Sequence, residues 1–166
     1  MTSVLGRYTI GQISSVVKNL EIAINGYMRM AGIGPWSIYT NSAPPLVCFY
    51  HGRPANYKVR VAIARSDQVQ MELIEYIEGE SIHRDFLAVG RAGVEHVGVF
   101  VPDLEEALKP YIDAGIAVLQ QGAGLGLSGD GCYAYLDTEK MIGTILELIQ
   151  PASQAAHPER IYPMIY

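Results

Sequence analysis

The sequence predicts an α+β fold in which two tandem βαβββ modules form one curved, partly open barrel-like sheet around a central cleft. Three observations predict it: the chain echoes itself, each echo sets β-rich runs around one helical stretch, and the composition is apolar enough to hide a large sheet. Gln12-Ile13-Ser14-Ser15-Val16-Val17-Lys18-Asn19-Leu20-Glu21 falls on His96-Val97-Gly98-Val99-Phe100-Val101-Pro102-Asp103-Leu104-Glu105, 84 residues later. The match continues with Ala23 on Ala107 and Tyr27 on Tyr111. A second echo closes each half, Met71-Glu72-Leu73-Ile74 resembling Leu146-Glu147-Leu148-Ile149. Self-similarity in the same order at both ends of a unit marks duplication. The modules are residues 8–78 and 92–150, followed by a tail, 151–166, in one domain overall.

Each element has a local reason. Residues 10–17 and 94–101 are β-rich, and each run meets a polar turn whose last residue, Asn19 or Asp103, is a good helix N-cap. Leu20, Ala23, Ile24, Tyr27 and Met28 then recur at helical spacing up to Gly32; Leu104, Ala107, Leu108, Tyr111 and Ile112 do so up to Gly115. Strands follow at 36–40, 46–50, 59–64 and 69–76 in the first half, and at 117–120, 132–136 and 145–149 in the second. One such unit leaves an apolar sheet face bare; two side by side cover each other and curl around a cleft.

Composition excludes several classes. Of 166 residues 49% are hydrophobic and 17% charged, with a mean hydropathy of +0.15, which excludes a disordered tail. No apolar run approaches the ~18 residues of a membrane span, and the opening MTSVLGRYTIGQ lacks the basic and apolar segments of a secretory signal. Cys48 and Cys132 are too few for a disulfide scaffold and read as reduced thiols in the cytoplasm. A net charge of −5 without a Lys/Arg cluster argues against nucleic acid as a partner.

Side chains alternate across a strand, so Gln12, Ser14 and Val16 share one face, as do His96, Gly98 and Phe100. Glu72 and Glu147 each sit between aliphatic neighbours near the end of a module, where a carboxylate is costly unless paired or metal-bound. Duplication brings Gln12, Glu72, His96 and Glu147 to the pseudo-twofold axis. This all-N/O set suits a divalent ion of the zinc, manganese, iron, cobalt or nickel kind, with two coordination positions left for substrate oxygens. Taken singly, His96 also reads as a hydrogen-bonded sheet histidine, and either glutamate as solvent-facing. Trp36, Tyr39, Phe49, Tyr50, Tyr133 and Tyr135 are candidates for an aromatic pocket wall, with His51 beside them; the aromatics also read as core or subunit-interface packing.

Other signals carry less. Gly124-Leu125-Gly126-Leu127-Ser128-Gly129 matches the dinucleotide fingerprint but runs into turn and strand rather than a helix, so it reads as a flexible loop over the cleft. His83 reads as a surface residue, and Cys132 has no identifiable base nearby in the sequence. The apolar end of the tail, residues 161–166, is expected to pack on its own domain or a neighbouring subunit.

The repeat, with HVGVFVPDLEEALKPYIDAGI opening one half and GTILELIQ closing it, resembles the vicinal oxygen chelate superfamily of glyoxalase I, methylmalonyl-CoA epimerase, extradiol dioxygenases and bleomycin-resistance proteins. The segments GQISSVVKNLE and GIGPWSIYT look closest to the branch near methylmalonyl-CoA epimerase. The resemblance implies metal ligands from the first and last strands of each module, which fall on Gln12, Glu72, His96 and Glu147. The first of these is usually histidine, and a histidine pair of the epimerases is here Glu95-His96. Where the epimerases carry a glutamate base this chain has Arg60, which cannot accept a proton at neutral pH and is expected to hold a carboxylate or an enolate oxygen instead. The matched bases are then Glu147, or Glu72 once displaced from the metal, and the role is assigned to Glu147.

The expected function is therefore a glyoxalase-like, metal-dependent isomerase, epimerase or lyase acting on a carbonyl compound or acyl thioester through a stabilised enolate. The competing class is a binding protein of the bleomycin-resistance type, in which the same cleft sequesters a flat ligand. The expected partners are an apolar or aromatic small molecule and a second copy of the chain in a homodimer, without a membrane.

Overall fold

Asn19 and Asp103 cap the two long helices, each accepting a backbone N–H at 2.9 Å, from Ile22 and Glu106. The computed structural model that shows this describes residues 8–163. Residues 1–7 of the opening stretch read above for a signal and the last three residues of the tail lie outside the described residues. In chain order the elements are β1 (Ile10–Val17), α1 (Leu20–Ala31), β2 (Trp36–Ala43), β3 (Val47–Tyr50), β4 (Arg53–Pro54), β5 (Tyr57–Ser66), β6 (Val69–Gly79), α2 (Ile82–Ala88), β7 (Gly93–Phe100), α3 (Leu104–Asp113), β8 (Val118–Leu125), β9 (Gly131–Leu136), α4 (Glu139–Ile142), β10 (Ile145–Gln150) and β11 (Arg160–Tyr162). Gly32 ends α1 in the left-handed region at φ 66°, a conformation glycine adopts without a Cβ penalty. No helix among the described residues is long and apolar enough to cross a membrane.

The strands form one open sheet in the order β11-β2-β5-β6-β1-β7-β10-β9-β8-β3-β4, giving the expected α+β class. Its middle is the antiparallel pair β1–β7, flanked by parallel partners, β6 beside β1 and β10 beside β7. Helices cover one face. Leu20 and Ile24 of α1 pack with Trp36, Ile38, Ala62 and Leu73. Leu104, Ala107, Leu108 and Tyr111 of α3 pack with Val99, Val101, Ala134 and Leu148. Trp36 is fully buried and donates its indole N–H to the Ile33 carbonyl at 2.8 Å. The other face, away from α1 and α3, lines the cleft, and Phe86 of the short helix α2 packs on it with Val16, Val59 and Ile74.

Two features differ from the sequence reading. Chain order places the strand at 46–50 in the first half, but β3 crosses to pair with β8, Cys48 opposite Gly122 and Tyr50 opposite Gln120. A bare edge at β8 would leave backbone donors and acceptors unpaired, and β3 satisfies them. The linker between the halves holds a helix, α2, capped by Ser81, with Ile82, His83 and Phe86 buried. The tail returns to the first half as well: β11 pairs with β2, and Glu159 accepts from the Thr40 N–H at 3.0 Å.

Candidate active site

Register dictates which side chains meet at the centre. Gln12 lies opposite Gly98 on β7 and Gln70 on β6, and Ser14 lies opposite His96 and Glu72. Glu147 on β10 lies beside Gly98. Residues directly opposite one another share a face of the sheet, so all of these point into the cleft. The small residues explain how the large ones reach each other. Gly98 separates Gln12 from Glu147, and a Cβ placed there would stand 2.9 Å from Gln12 Oε1. Ser14, fully buried, separates His96 from Glu72 in the same way.

At the centre His96 Nε2 stands 3.2 Å from Glu147 Oε2 and 3.5 Å from Glu72 Oε2. Neither contact is aligned as a hydrogen bond: His96 Nε2, Glu147 Oε2 and Gln12 Oε1 are buried polar atoms without a hydrogen-bond partner among the described residues. The Gln12 amide donates from Nε2 to Gln70 Oε1 at 2.7 Å, which turns its oxygen inward. On the far side of the imidazole, Glu95 Oε2 lies 3.1 Å from His96 Nδ1 and 2.7 Å from His83 Nδ1.

Charge follows from this crowding. Burial alone would lower the proton affinity of His96, but Glu147, Glu72 and Glu95 outweigh it and raise it well above the ordinary imidazole value. Burial raises the Glu147 carboxyl, and the charge of Glu72 adds to it against the pull of His96. Burial would raise Glu95 too, yet His83 and His96 bring it down to about 2. With Glu95 ionised, an Nδ1–H on His96 leaves the Nε2 lone pair facing two carboxylates, which is tolerable only with a cation, proton or metal, between them.

Above this floor lies a cavity of about 340 Å³, walled by side chains of β5, including Tyr57, Val59, Val61 and Ile63, together with Tyr39, Tyr133 and Tyr135. Tyr133 donates its hydroxyl to Tyr57 at 3.1 Å, and burial pushes the Tyr57 phenol up to about 12. The cavity lining includes no arginine or lysine among the described residues. Of the proposed wall, Tyr39, Tyr133 and Tyr135 are on the cavity. Trp36 is not, being in the core under α1. Phe49 follows β3 to an outer groove with Pro44 and Leu46, and His51 lies in the exposed turn after β3, beside Ile82 and Leu119.

Arg60 is also misplaced by the sequence reading. It alternates with Val59 and Val61 on β5 and so points to the helix face, where it binds Glu21 of α1 at 2.6 Å and Glu75 at 3.0 Å. It fastens α1 to the sheet and has no access to the cavity. His83 is not on the surface: it is 3% exposed and lines the cavity beside the central cluster. The glycine-rich segment is tied down, Leu127 N–H donating to the Gln154 carbonyl at 2.9 Å and Ser153 N–H to Asp130 at 3.0 Å. It thereby holds residues 151–156 as a further wall of the cavity. Tyr57, Gln70 and His83 are the site residues that sequence reasoning missed. The first two were readable from alternation, Tyr57 with Val59 and Gln70 with Glu72.

This open sheet, with paired halves around a polar centre, has known counterparts. A family profile described as Glyoxalase/Bleomycin resistance protein/Dioxygenase superfamily matches residues 11–136. The chain belongs to that superfamily. Among solved structures, a hypothetical protein BH1468 from Bacillus halodurans C-125 aligns with a TM-score of 0.66 at 17% identity, covering 92% of this chain and 100% of that one. A methylmalonyl-CoA epimerase in complex with methylmalonyl-CoA and NH4+ gives 0.65 at 19%, covering 90% and 98%. Methylmalonyl-CoA epimerase from Mycobacterium tuberculosis gives 0.63 at 18%, covering 92% of each chain. At these identities the likeness is one of fold. Comparison with curated proteins finds no significant match.

The donors of the superfamily fold in this chain fit a divalent cation. An amide oxygen, an imidazole nitrogen and a carboxylate oxygen are orphaned and buried at one spot, beside a second carboxylate. Two negative charges match a doubly charged ion, and hard oxygen with imidazole donors suits first-row divalent metals. Among the described residues no group of three or more His, Cys, Asp and Glu is arranged to hold a metal ion. The glutamates rest against the imidazole, and the fourth donor is an amide.

Proposed function

We propose that this chain is a glyoxalase-like enzyme, an isomerase, epimerase or lyase, that moves a proton next to the carbonyl of an apolar substrate. The observation that carries this reading is the set of orphaned buried donors: Gln12 Oε1 and Glu147 Oε2 belong to residues lining a largely apolar cavity, and His96 Nε2 lies 3.2 Å behind the latter. Gln12, Glu72, His96 and Glu147 would hold a divalent ion there. Such an ion, when bound, supplies Lewis-acid stabilisation of the negative charge an enolate oxygen develops. Glu95 holds His96 by its Nδ1–H, and Gln70 holds the Gln12 amide. Glu147 is the candidate carboxylate for taking the proton.

The walls support the choice of substrate. Valine, isoleucine and tyrosine make up much of the cavity wall, and a substrate carboxylate finds no arginine or lysine in the lining among the described residues. Methylmalonyl-CoA is the ligand named for one structural neighbour. For this chain a ketone, or a thioester with an uncharged acyl group, fits better.

The test is solvent exchange. The protein, supplied with Mn²⁺, Co²⁺ or Zn²⁺ in deuterium oxide, is incubated with apolar ketones, butyryl-CoA and methylmalonyl-CoA, and label at the α-carbon is read by mass spectrometry. Protein-dependent labelling of the uncharged compounds, ahead of methylmalonyl-CoA, is the expected result. Tight binding without labelling would replace the enzyme by a sequestering protein of the bleomycin-resistance type, and neither binding nor labelling would remove the proposal.

A further inference from the structure

Helix α2 places a second imidazole on the cleft wall. Ser81, fully buried, caps the helix, and the next N–H, that of Ile82, donates to Gln120 Oε1 on β8 at 3.0 Å, fixing the helix between the two halves. His83 is thereby pressed inward at 3% exposure, its ring edge-on to Tyr135 with centroids 5.7 Å apart. Glu95 Oε2 takes the Nδ1 side at 2.7 Å. The only hydrogen bond of the His83 side chain among the described residues is that one, and the ring forms part of the cavity wall. Its centroid is 6.2 Å from that of His96. A single carboxylate oxygen thus orients two imidazoles, one toward the central cluster and one beside the space a substrate would fill.

We infer that His83 is a proton-transfer residue of this site, acting at Nε2, with Glu95 as the residue that positions it. The inference rests on the enzymatic reading above. In the step, the C–H bond next to the substrate carbonyl breaks, its electron pair passes into the enolate, and the proton goes to His83 Nε2 in place of Glu147, which stays in the set that would hold the ion. The return step delivers a proton from Nε2 to carbon and restores the carbonyl, so no other reactant is needed. A carboxylate behind a histidine fixes the ring and stabilises the imidazolium that forms, as in other acid–base pairs.

The experiment has two arms. In the exchange assay, with the uncharged carbonyl compound that the unaltered protein labels, His83→Gln is expected to lower the labelling rate about 100-fold. Its affinity for the compound should stay within about 2-fold, since a catalytic proton carrier is not the anchor of the substrate. Equal labelling by the variant overturns the role of His83 while leaving the enzymatic reading intact; no labelling by the unaltered protein removes both. Because a variant at a buried site can misfold, the second arm uses the unaltered chain. Nitrogen-15 NMR of its histidine rings is expected to find His83 protonated at Nδ1, with the Nδ1–H signal lost in Glu95→Gln. A ring protonated at Nε2 alone, with Nδ1 bare toward Glu95, overturns the inference.

Discussion

Replacing Gly98 by alanine probes the space on which the centre depends. A methyl group there would stand 2.7 Å from Ile149 Cδ1, 2.9 Å from Gln12 Oε1 and 3.0 Å from Gln12 Cβ. Ile149 can turn its terminal methyl away at little cost. Gln12 cannot yield as easily, because its Cβ is fixed by β1 and its Nε2 is tethered to Gln70 at 2.7 Å. Overpacking of this kind costs ~1–3 kcal/mol, offset by up to ~1 kcal/mol from the lower entropy of an unfolded chain without that glycine. The net loss, ~1–2 kcal/mol, corresponds to a fall in melting temperature of about 2–8 °C for a chain of this size. The larger effect should be on the centre: with the amide pushed aside, Co²⁺ affinity measured by calorimetry is expected to fall by about 10-fold or more, as when a supporting group is lost. Gly98→Ala that melts lower but binds Co²⁺ as tightly as the unaltered protein would refute the claim that Gln12 belongs to the binding set.

Three further outcomes are expected. Arg60→Met should cost about 1–2 kcal/mol by removing partly exposed ion pairs to Glu21 and Glu75, with no change in α-proton exchange; a selective loss of exchange in a folded variant would return Arg60 to the site. Gly26→Ala, in the exposed interior of α1 where an added Cβ meets nothing within 4 Å, should stabilise by about 0.5–1 kcal/mol in urea melts, and destabilisation would contradict the helix geometry. Asp130, held at about 2 against an ordinary 3.8 by Ser128 and Ser153, strengthens the strap over the cavity. Its lowered value means the contribution is full above pH 3.8 and is lost as pH falls toward 2. Hydrogen exchange of residues 151–156 should quicken over that range, and less so in Asp130→Asn.

Much of the architecture was legible because duplication is visible in a single chain. The offset of 84 residues aligned Gln12 with His96 and Ser14 with Gly98, and strand alternation then set their common face. What escaped was long-range. Nothing local in 46–50 says that the strand crosses to β8, because a pairing partner 70 or so residues away leaves no periodic trace. Helix α2 is only seven residues long, yet Ser81 as cap with Ile82 and Phe86 four apart was a usable signal, and reading it would have turned His83 inward. A positional match to relatives puts Arg60 in the site, although its alternation with Val59 and Val61 sets it on the opposite face from the cavity.

Titration of the purified, metal-stripped chain with Co²⁺, followed by its visible absorption, tests the central claim most directly. The expected result is one ion per chain with a weak six-coordinate spectrum, abolished in folded His96→Ala and Glu147→Gln. Saturation that both variants leave untouched, or no uptake at all, would contradict a cation held at the seam of the two halves.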